Sequence, residues 1–313
     1  MLKYHTFKNL SFDQMNFVKN KLDNFVLKDK IENNIVFFKI KQDDNIITFF
    51  YNGTCLIQGR HIQKSVLIIS RLLNLNIKDS DIYNIKNIIG SDEVGTGDVF
   101  GPIVVCASFV SMENIFFLKE MNIRDSKKIS SKRVFQITNL VIKQKIPFVL
   151  KILHPLKYNH LIKKNDYNLN KIKALLHNKA ILELLEIIKS EKFKFCVVVD
   201  QFTSPDNYFN YLKEEKLVYQ NIKFETQSEN KYLSVALSSI IARCFFLKEI
   251  DKLNKYLGMK LKLGASHTVD KQLLEIYQKR GISILNKISK CNFKNVNKIT
   301  NNYFNLKESS KRG

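Results

Sequence analysis

The stretch NIIGSDEVGTGDVFGP, residues 87–102, decides the fold of this chain. It places Asp92 and Glu93 directly after a short apolar run and directly before a segment that holds three glycines. An apolar run of this length predicts a strand, and the acid pair lies at its end. The glycines suit either a bulged hairpin or a close approach of backbone N–H groups to a phosphate.

A mixed α/β sheet with helical cover is predicted from residue 87 onward, because strand-like runs come first and then alternate with helices. Five strand-like runs are found at 88–92, 102–110, 146–153, 194–200 and 220–226. The fourth is continuously apolar, which favours a strand covered on both faces. Apolar helical patterns fill residues 171–190 and 231–257.

A smaller α+β unit is predicted at residues 1–77. Ser11 and Gln14 form a capping-box pair at the start of an amphipathic helix. Three short β-rich runs follow at 34–41, 45–51 and 54–59, and a second helical pattern at 63–75 closes the unit. Asn52-Gly53 between the last two runs is a strong hairpin signal, so the runs predict a three-stranded meander.

The domain boundary is predicted in the polar segment 78–86, which is expected to be a linker. Residues 87–313 then form the second domain, and about the last ten residues, which end in KESSKRG, are expected to be a flexible basic tail.

The formal charge of +22 and the pI near 9.6 suggest a polyanionic partner, because a basic surface attracts phosphate at long range. A rival cause is coding bias: only 7 of the 51 basic residues are arginine, and the chain is rich in Asn and Ile. Nucleic acid is the favoured partner on charge.

A cytoplasmic protein is expected. No apolar stretch reaches the roughly 18 uncharged residues of a membrane span, and the first residues lack the apolar centre of a secretory signal. The five cysteines form no CxxC pair, which favours buried thiols over zinc ligands. No obligate protein partner is evident, so a monomer is expected.

Two further acids occupy places where they can join the first pair. Asp200 ends the fourth strand-like run, and Glu229 lies just before the second long helix. Such a group repels itself at neutral pH unless a cation lies inside it. Magnesium suits oxygen ligands, and two ions about 3.5–4 Å apart can activate water for phosphodiester hydrolysis. The alternative is that each acid is an ordinary turn or cap residue.

The sequence strongly resembles ribonuclease HIII, the bacterial relative of ribonuclease HII. The motifs that carry the resemblance occur in order: GSDEVGTGDVFGPIVV from residue 90, RDSKKIS from 124, YNLNKIKALLHNKAI from 167, VVVDQFTSPDNYFNYL from 197, FETQSENKYLSVALSSIIAR from 224 and LGASHTVDK from 263. The small N-terminal unit resembles that family's appended domain, which is similar to TATA-binding protein.

The resemblance implies a ribonuclease H-like fold and an endonuclease that cuts the RNA strand of RNA–DNA hybrids with two Mg²⁺ or Mn²⁺ ions, leaving 5′-phosphate and 3′-hydroxyl ends. It implies that the N-terminal unit binds substrate. Its metal-binding catalytic positions fall on Asp92, which would bridge both ions, and on Glu93, Asp200 and Glu229. Its substrate contacts fall on Gly95, Thr96 and Gly97, which would meet 2′-hydroxyl groups, and on Ser126 and Lys127 beside phosphates.

The chain departs from the family pattern in two places. Gln227 and Ser228 stand where the family usually has Lys-Ala, and Leu263 stands where a lysine is common. These changes put phosphate affinity in doubt and remove no metal ligand. His177, on an apolar helix, is expected to serve packing or hydrogen bonding.

Two alternatives compete with the hybrid nuclease. One is type II specificity, with cleavage at a single embedded ribonucleotide, against which Thr96 and the N-terminal unit argue. The other is a non-catalytic nucleic-acid-binding protein, which the loss of an acidic position would have favoured.

Overall fold

A computed structural model describes residues 3–27, 35–59, 62–74, 87–111, 114–123, 129–164, 166–189 and 195–299. The chain forms two compact units, residues 1–85 and 86–313. The predicted linker at 78–86 and the predicted basic tail lie outside the described residues. Across the described part of the chain, no helix is long and apolar enough to cross a membrane.

The first unit is a four-stranded antiparallel sheet with two helices. Its elements are β1 (Lys3–Phe7), α1 (Phe12–Lys21), β2 (Val36–Gln42), β3 (Asn45–Phe50), β4 (Cys55–Gly59) and α2 (Gln63–Leu72), with strand order β1-β4-β3-β2. The predicted three-stranded meander is confirmed in β2, β3 and β4, and β1 adds a fourth strand beside β4. The sequence analysis missed β1 because it is only five residues long and gains its partners by pairing with β4, far along the chain.

The core of this unit lies between the helices and one face of the sheet. The Ser11–Gln14 capping box is present at the start of α1, as predicted. Met15 and Val18 of α1 pack with strand residues such as Phe38, whose ring stacks on that of Phe49 at 4.4 Å.

The second unit is built on a five-stranded mixed sheet. Its strands are β5 (Asn87–Val94), β6 (Ile103–Val110), β7 (Phe148–Leu153), β8 (Phe195–Asp200) and β9 (Ile222–Glu225), in the order β7-β6-β5-β8-β9. The central strand β5 is antiparallel to β6 and parallel to β8, and β8 is parallel to β9. The predicted mixed α/β sheet is confirmed.

Helices cover both faces of this sheet. They are α3 (Ile115–Glu120), α4 (Ser131–Lys143), α5 (Pro155–Ile162), α6 (Leu169–Ile187), α7 (Pro205–Tyr211), α8 (Leu233–Leu257), α9 (His267–Arg280) and α10 (Ile282–Ile288). Helix α6 packs on one face with Ile89 and Val197, while α8 packs on the other with Val104 and Cys106. Because Val197, Val198 and Val199 are all fully buried, β8 is covered on both faces as its apolar run predicted.

Gly90 allows α8 to approach the central strand closely. A Cβ atom at this position would lie 2.3 Å from backbone atoms of Ser234 and Val235. The contact is fixed by the hydroxyl of Ser238, which donates to the Gly90 carbonyl oxygen at 2.8 Å. The first turns of α8 therefore lie directly beside the end of β5.

Candidate active site

Asp92 and Asp200 lie at the same end of two neighbouring parallel strands. Ser91 of β5 pairs with Val199 of β8, so each aspartate follows directly after this pair. Asp200 is itself paired with Glu225 at the end of β9. The chain then turns through a short 3₁₀ helix, Ser228–Asn230, which carries Glu229. The parallel register thus brings together acids from three distant segments.

Asp92 is the most crowded of these acids. Its side chain is buried, and its Oδ1 accepts a hydrogen bond from the Glu93 backbone N–H at 2.7 Å. Burial, followed by the negative charges of Glu93 and Asp200, raises the pKa of Asp92 well above its ordinary value, against a hydrogen bond from Ser239 that lowers it. An ionised Asp92 therefore requires a compensating positive charge.

Asp200 is held by the turn that follows β9. The backbone N–H and the hydroxyl of Ser228 both donate to Asp200 Oδ1, each at 2.9 Å. Burial raises the pKa of Asp200, the two bonds from Ser228 lower it, and the charges of Glu229 and Glu93 raise it again, leaving it above its ordinary value. The charge of Glu93 acts on both aspartates, and the charge of Glu229 acts on Asp200. The four predicted acids therefore lie close enough for their charges to interact.

Glu93 differs because two donors on helix α6 hold it. Lys173 Nζ forms an ion pair with Oε1, and His177 Nε2 lies 3.0 Å from Oε2. Burial acts to raise the pKa of Glu93, but the hydrogen bond and charge of His177 and the ammonium group of Lys173 outweigh it, and the pKa is lowered. Glu93 therefore ionises more readily than Asp92 or Asp200 before any cation binds.

Lys173 and His177 were not predicted as site residues. The signal was present, because a lysine and a histidine four positions apart share one face of a helix. It was hidden by the apolar composition of that helix, which favoured an assignment of His177 to the core. The structure buries His177 completely, yet both of its ring nitrogens have polar partners.

The predicted glycine loop follows directly after β5. Gly95 has φ +94°, and a Cβ there would lie 2.2 Å from the Pro102 carbonyl oxygen, so only glycine fits. Thr96 is half-buried, whereas Gly97 is exposed and faces open space. The surface available to a ligand is therefore at Thr96 and Gly97. Ser126 and Lys127 lie outside the described residues.

The loop is tied to two later segments of the chain by polar contacts. Asp98 Oδ1 accepts from the Gly264 N–H at 2.6 Å, and Lys290 Nζ donates to the Gly101 carbonyl oxygen at 2.7 Å. Burial lowers the pKa of Lys290 to about 7 although Asp98 opposes the shift. Asp98 thus serves the loop conformation.

The donor set fits a hard divalent cation. Asp92, Glu93, Asp200 and Glu229 offer only carboxylate oxygens, which Mg²⁺ and Mn²⁺ prefer. Within the described ranges, no three His, Cys, Asp or Glu side chains are already gathered as a ligand cluster. Binding would therefore need side-chain adjustments that draw the carboxylates together.

Comparisons with known proteins agree with this architecture. The profile of the family described as Ribonuclease HII matches residues 89–296. The sheet, its acidic edge and this match define the chain as a ribonuclease H enzyme.

Two relatives narrow the assignment. Ribonuclease HIII from Phytoplasma mali is 48% identical over 295 residues, which cover 93% of this chain and 98% of the relative. Ribonuclease HIII from Bacillus cereus is 42% identical over 213 residues, 68% of each chain. The chain belongs to the ribonuclease HIII family, and the resemblance found in its motifs is confirmed.

A solved structure supports the fold over both units. Bst-RNase HIII in complex with Mn²⁺ has a TM-score of 0.66 at 27% identity, covering 95% of this chain and 98% of that one. The predicted ribonuclease H-like fold is thereby confirmed.

Proposed function

We propose that this protein hydrolyses the RNA strand of RNA–DNA hybrids by two-metal-ion catalysis and leaves 5′-phosphate and 3′-hydroxyl ends. The observation that carries the proposal is the convergence of Asp92 and Asp200 at the ends of paired parallel strands, with Glu93 and Glu229 beside them. Such crowding of negative charge is costly without cations. The Mn²⁺ complex of Bst-RNase HIII supports the use of a divalent ion.

The acids would divide the work by position. Asp92 interacts with the charges of both Glu93 and Asp200 and would hold both ions. Glu93, Asp200 and Glu229 would complete the coordination shells. The bound Mg²⁺ or Mn²⁺ ions would activate the attacking water and stabilise the leaving oxygen. Hydrogen bonds from Ser228 keep Asp200 Oδ1 occupied and orient its second oxygen.

The glycine loop would recognise the sugar. Gly95 holds a left-handed turn that presents the exposed Gly97 and the half-buried Thr96 beside β5. Small residues there allow backbone groups to reach 2′-hydroxyls, the group that distinguishes RNA from DNA. Ser126 and Lys127 remain proposed phosphate contacts by resemblance alone.

The N-terminal unit would hold the hybrid through the sheet face opposite its helices. Lys41, Ile46 and Gln58 are cross-strand neighbours on β2, β3 and β4, and all three are exposed. Lys39 lies two residues from Lys41 and so on the same face of β2. A broad face with lysines along one strand suits a phosphate backbone.

We also propose that the protein acts as a cytoplasmic monomer, which its five free thiols and its charge support.

Cleavage of end-labelled duplexes tests the proposal. The substrates carry one, four or many ribonucleotides, and each is incubated with Mg²⁺ or Mn²⁺. Efficient cutting of long RNA runs with poor cutting at a lone ribonucleotide is expected; the reverse order would assign type II specificity.

The matched variants are Asp92→Asn and, as a control, Asp206→Asn on the exposed start of α7. Asp92→Asn should lose several orders of magnitude in kcat and still bind hybrid, whereas Asp206→Asn should behave as wild type. A fully active Asp92→Asn protein would refute the two-metal assignment.

A further inference from the structure

Two side chains from a single helix bind the carboxylate of Glu93. Lys173 and His177 are four residues apart on α6, so both project from the same face toward the end of β5. Each takes one carboxylate oxygen: Lys173 pairs with Oε1 and His177 with Oε2. Two separate donors fix both the position and the plane of the carboxylate.

His177 is itself fixed from behind. Its Nδ1 lies 2.7 Å from Ser91 Oγ, and Ser91 donates to the Cys106 carbonyl oxygen at 3.0 Å. An ionised carboxylate only accepts, so Nε2 is the atom that donates to Glu93. Ser91 directly precedes Asp92, and the imidazole therefore connects both ends of the Ser91-Asp92-Glu93 segment.

Phe202 links this pair to the second strand of the site. Its ring stacks on His177 at 5.3 Å, and Lys173 Nζ lies 4.0 Å from the ring centroid. Phe202 comes two residues after Asp200. One aromatic side chain thus contacts both donors of Glu93 and belongs to the loop that leaves Asp200.

We infer that His177 and Lys173 are positioning residues, which hold Glu93 in one orientation so that the carboxylate group is prepared before a divalent ion binds. The inference rests on the proposed function and extends it to residues on α6. Both oxygens of Glu93 keep a lone pair after accepting one hydrogen bond each. The contacts with Lys173 and His177 therefore leave each oxygen able to bind a metal ion. Outer donors of this kind typically change metal affinity or activity by about 10–100-fold when they are removed.

Two polar replacements of His177 separate positioning from packing. In His177→Gln the amide nitrogen reaches about as far as Nε2 and can still donate to Glu93. In His177→Asn the amide reaches only as far as Nδ1, so the bond to Ser91 is kept and the bond to Glu93 is lost. If His177 positions Glu93, kcat on a long hybrid should fall about 10–100-fold in His177→Asn. His177→Gln should keep most of the wild-type kcat, and KM should be unchanged in both variants.

Lys173→Met removes the ammonium group and keeps the length of the side chain. Its control is Lys171→Met on the same helix, because Lys171 also pairs with a glutamate, Glu214 at 3.6 Å, and also lies over an aromatic ring, that of Tyr167 at 4.9 Å. Lys173→Met should lower kcat about tenfold or more, and Lys171→Met should leave it unchanged.

Metal affinity without substrate gives a second readout. Titration calorimetry with Mn²⁺ should show weaker binding by about tenfold for His177→Asn and near-wild-type binding for His177→Gln. In a double-mutant cycle with Glu93→Gln, the loss from His177→Asn should largely disappear, because the histidine acts through Glu93.

Equal kcat and Mn²⁺ affinity for Asn, Gln and wild type, or full additivity in the cycle, would overturn the inference. Asp92→Asn, measured alongside, distinguishes failure of the positioning role from failure of the proposed function. If it is inactive while the α6 variants match Lys171→Met, only the positioning role fails. If it is active, the proposed function fails first.

Discussion

Ser228 donates two hydrogen bonds to the same oxygen of Asp200. Its backbone N–H and its hydroxyl both lie 2.9 Å from Oδ1. The backbone bond belongs to the turn and would be available to any residue, whereas the hydroxyl bond depends on serine. An alanine at position 228 would therefore keep the first bond and lose the second.

Ser228→Ala should fold normally and lose only the hydroxyl bond. Hydrogen bonds to an ionised carboxylate lower its pKa, so the pKa of Asp200, which burial already raises, should rise further. The acidic limb of the kcat profile should therefore move to higher pH, by about 0.7 unit for a bond worth about 1 kcal/mol. An unchanged profile would show that the backbone donor alone determines the ionisation of Asp200.

Asp92→Asn should be more stable than wild type in metal-free buffer. Burial and the charges of Glu93 and Asp200 make an ionised Asp92 unfavourable, and each pKa unit of that shift is about 1.4 kcal/mol. A gain of roughly 1 kcal/mol or more in the free energy of unfolding is expected. Adding Mg²⁺ or Mn²⁺ should raise the melting temperature of wild type more than that of the variant. If wild type were instead the more stable protein in metal-free buffer, the acids would not repel one another in the folded protein.

Gly90→Ala should destabilise the second unit. The added methyl group would lie 2.3 Å from backbone atoms of Ser234 and Val235, so α8 must shift. Overpacking of this kind costs about 1–3 kcal/mol, measurable as a lower urea midpoint. Gly97→Ala is the matched control, because a Cβ there has no neighbour within 4 Å; its midpoint should stay at the wild-type value.

Lys290 should make stability depend on pH. Its pKa is about 7 in the folded protein and about 10.4 in the unfolded chain, so between these values the unfolded chain binds more protons. Stability from this group therefore rises with pH, by up to about 1.4 kcal/mol per unit. Urea unfolding of wild type and Lys290→Met at pH 7 and pH 9 should show a rise in wild type that the variant lacks. Parallel curves for the two proteins would contradict the lowered pKa.

Lys39→Gln combined with Lys41→Gln should weaken binding of an uncleavable hybrid and flatten its salt dependence. Each lost phosphate contact removes up to about 0.9 from the slope of log affinity against log salt. Lys21→Gln, on exposed α1 rather than on the open sheet face, is the control. Equal slopes for all three proteins would assign hybrid binding to another surface.

Strand assignments in the second unit followed from local composition, most clearly for the apolar runs that form β6 and β8. The predicted run 194–200 contains β8, Phe195–Asp200, and ends at the same residue. Strand β1 was missed because its partner β4 lies far along the chain, and no local pattern reveals such a pairing. The four acids were predicted from motifs, and the structure places Asp92 and Asp200 at neighbouring strand ends and Glu229 on the 3₁₀ helix after β9. The contact between α6 and Glu93 is a matter of helix placement, which periodicity cannot give.

The parallel pairing of β5 with β8 also sets when the candidate site can form during synthesis. The β5–β6 hairpin is local and can close as soon as its residues are available. Its parallel neighbour needs a long crossover, and non-local pairing of this kind is slow to form. Because chains are made from the N-terminus, Asp92 is synthesised before Asp200 and Glu229. The candidate site cannot form until these later residues are available. A polypeptide interrupted before residue 200 would carry the whole glycine-rich stretch and still lack Asp200 and Glu229, two of the four proposed metal ligands.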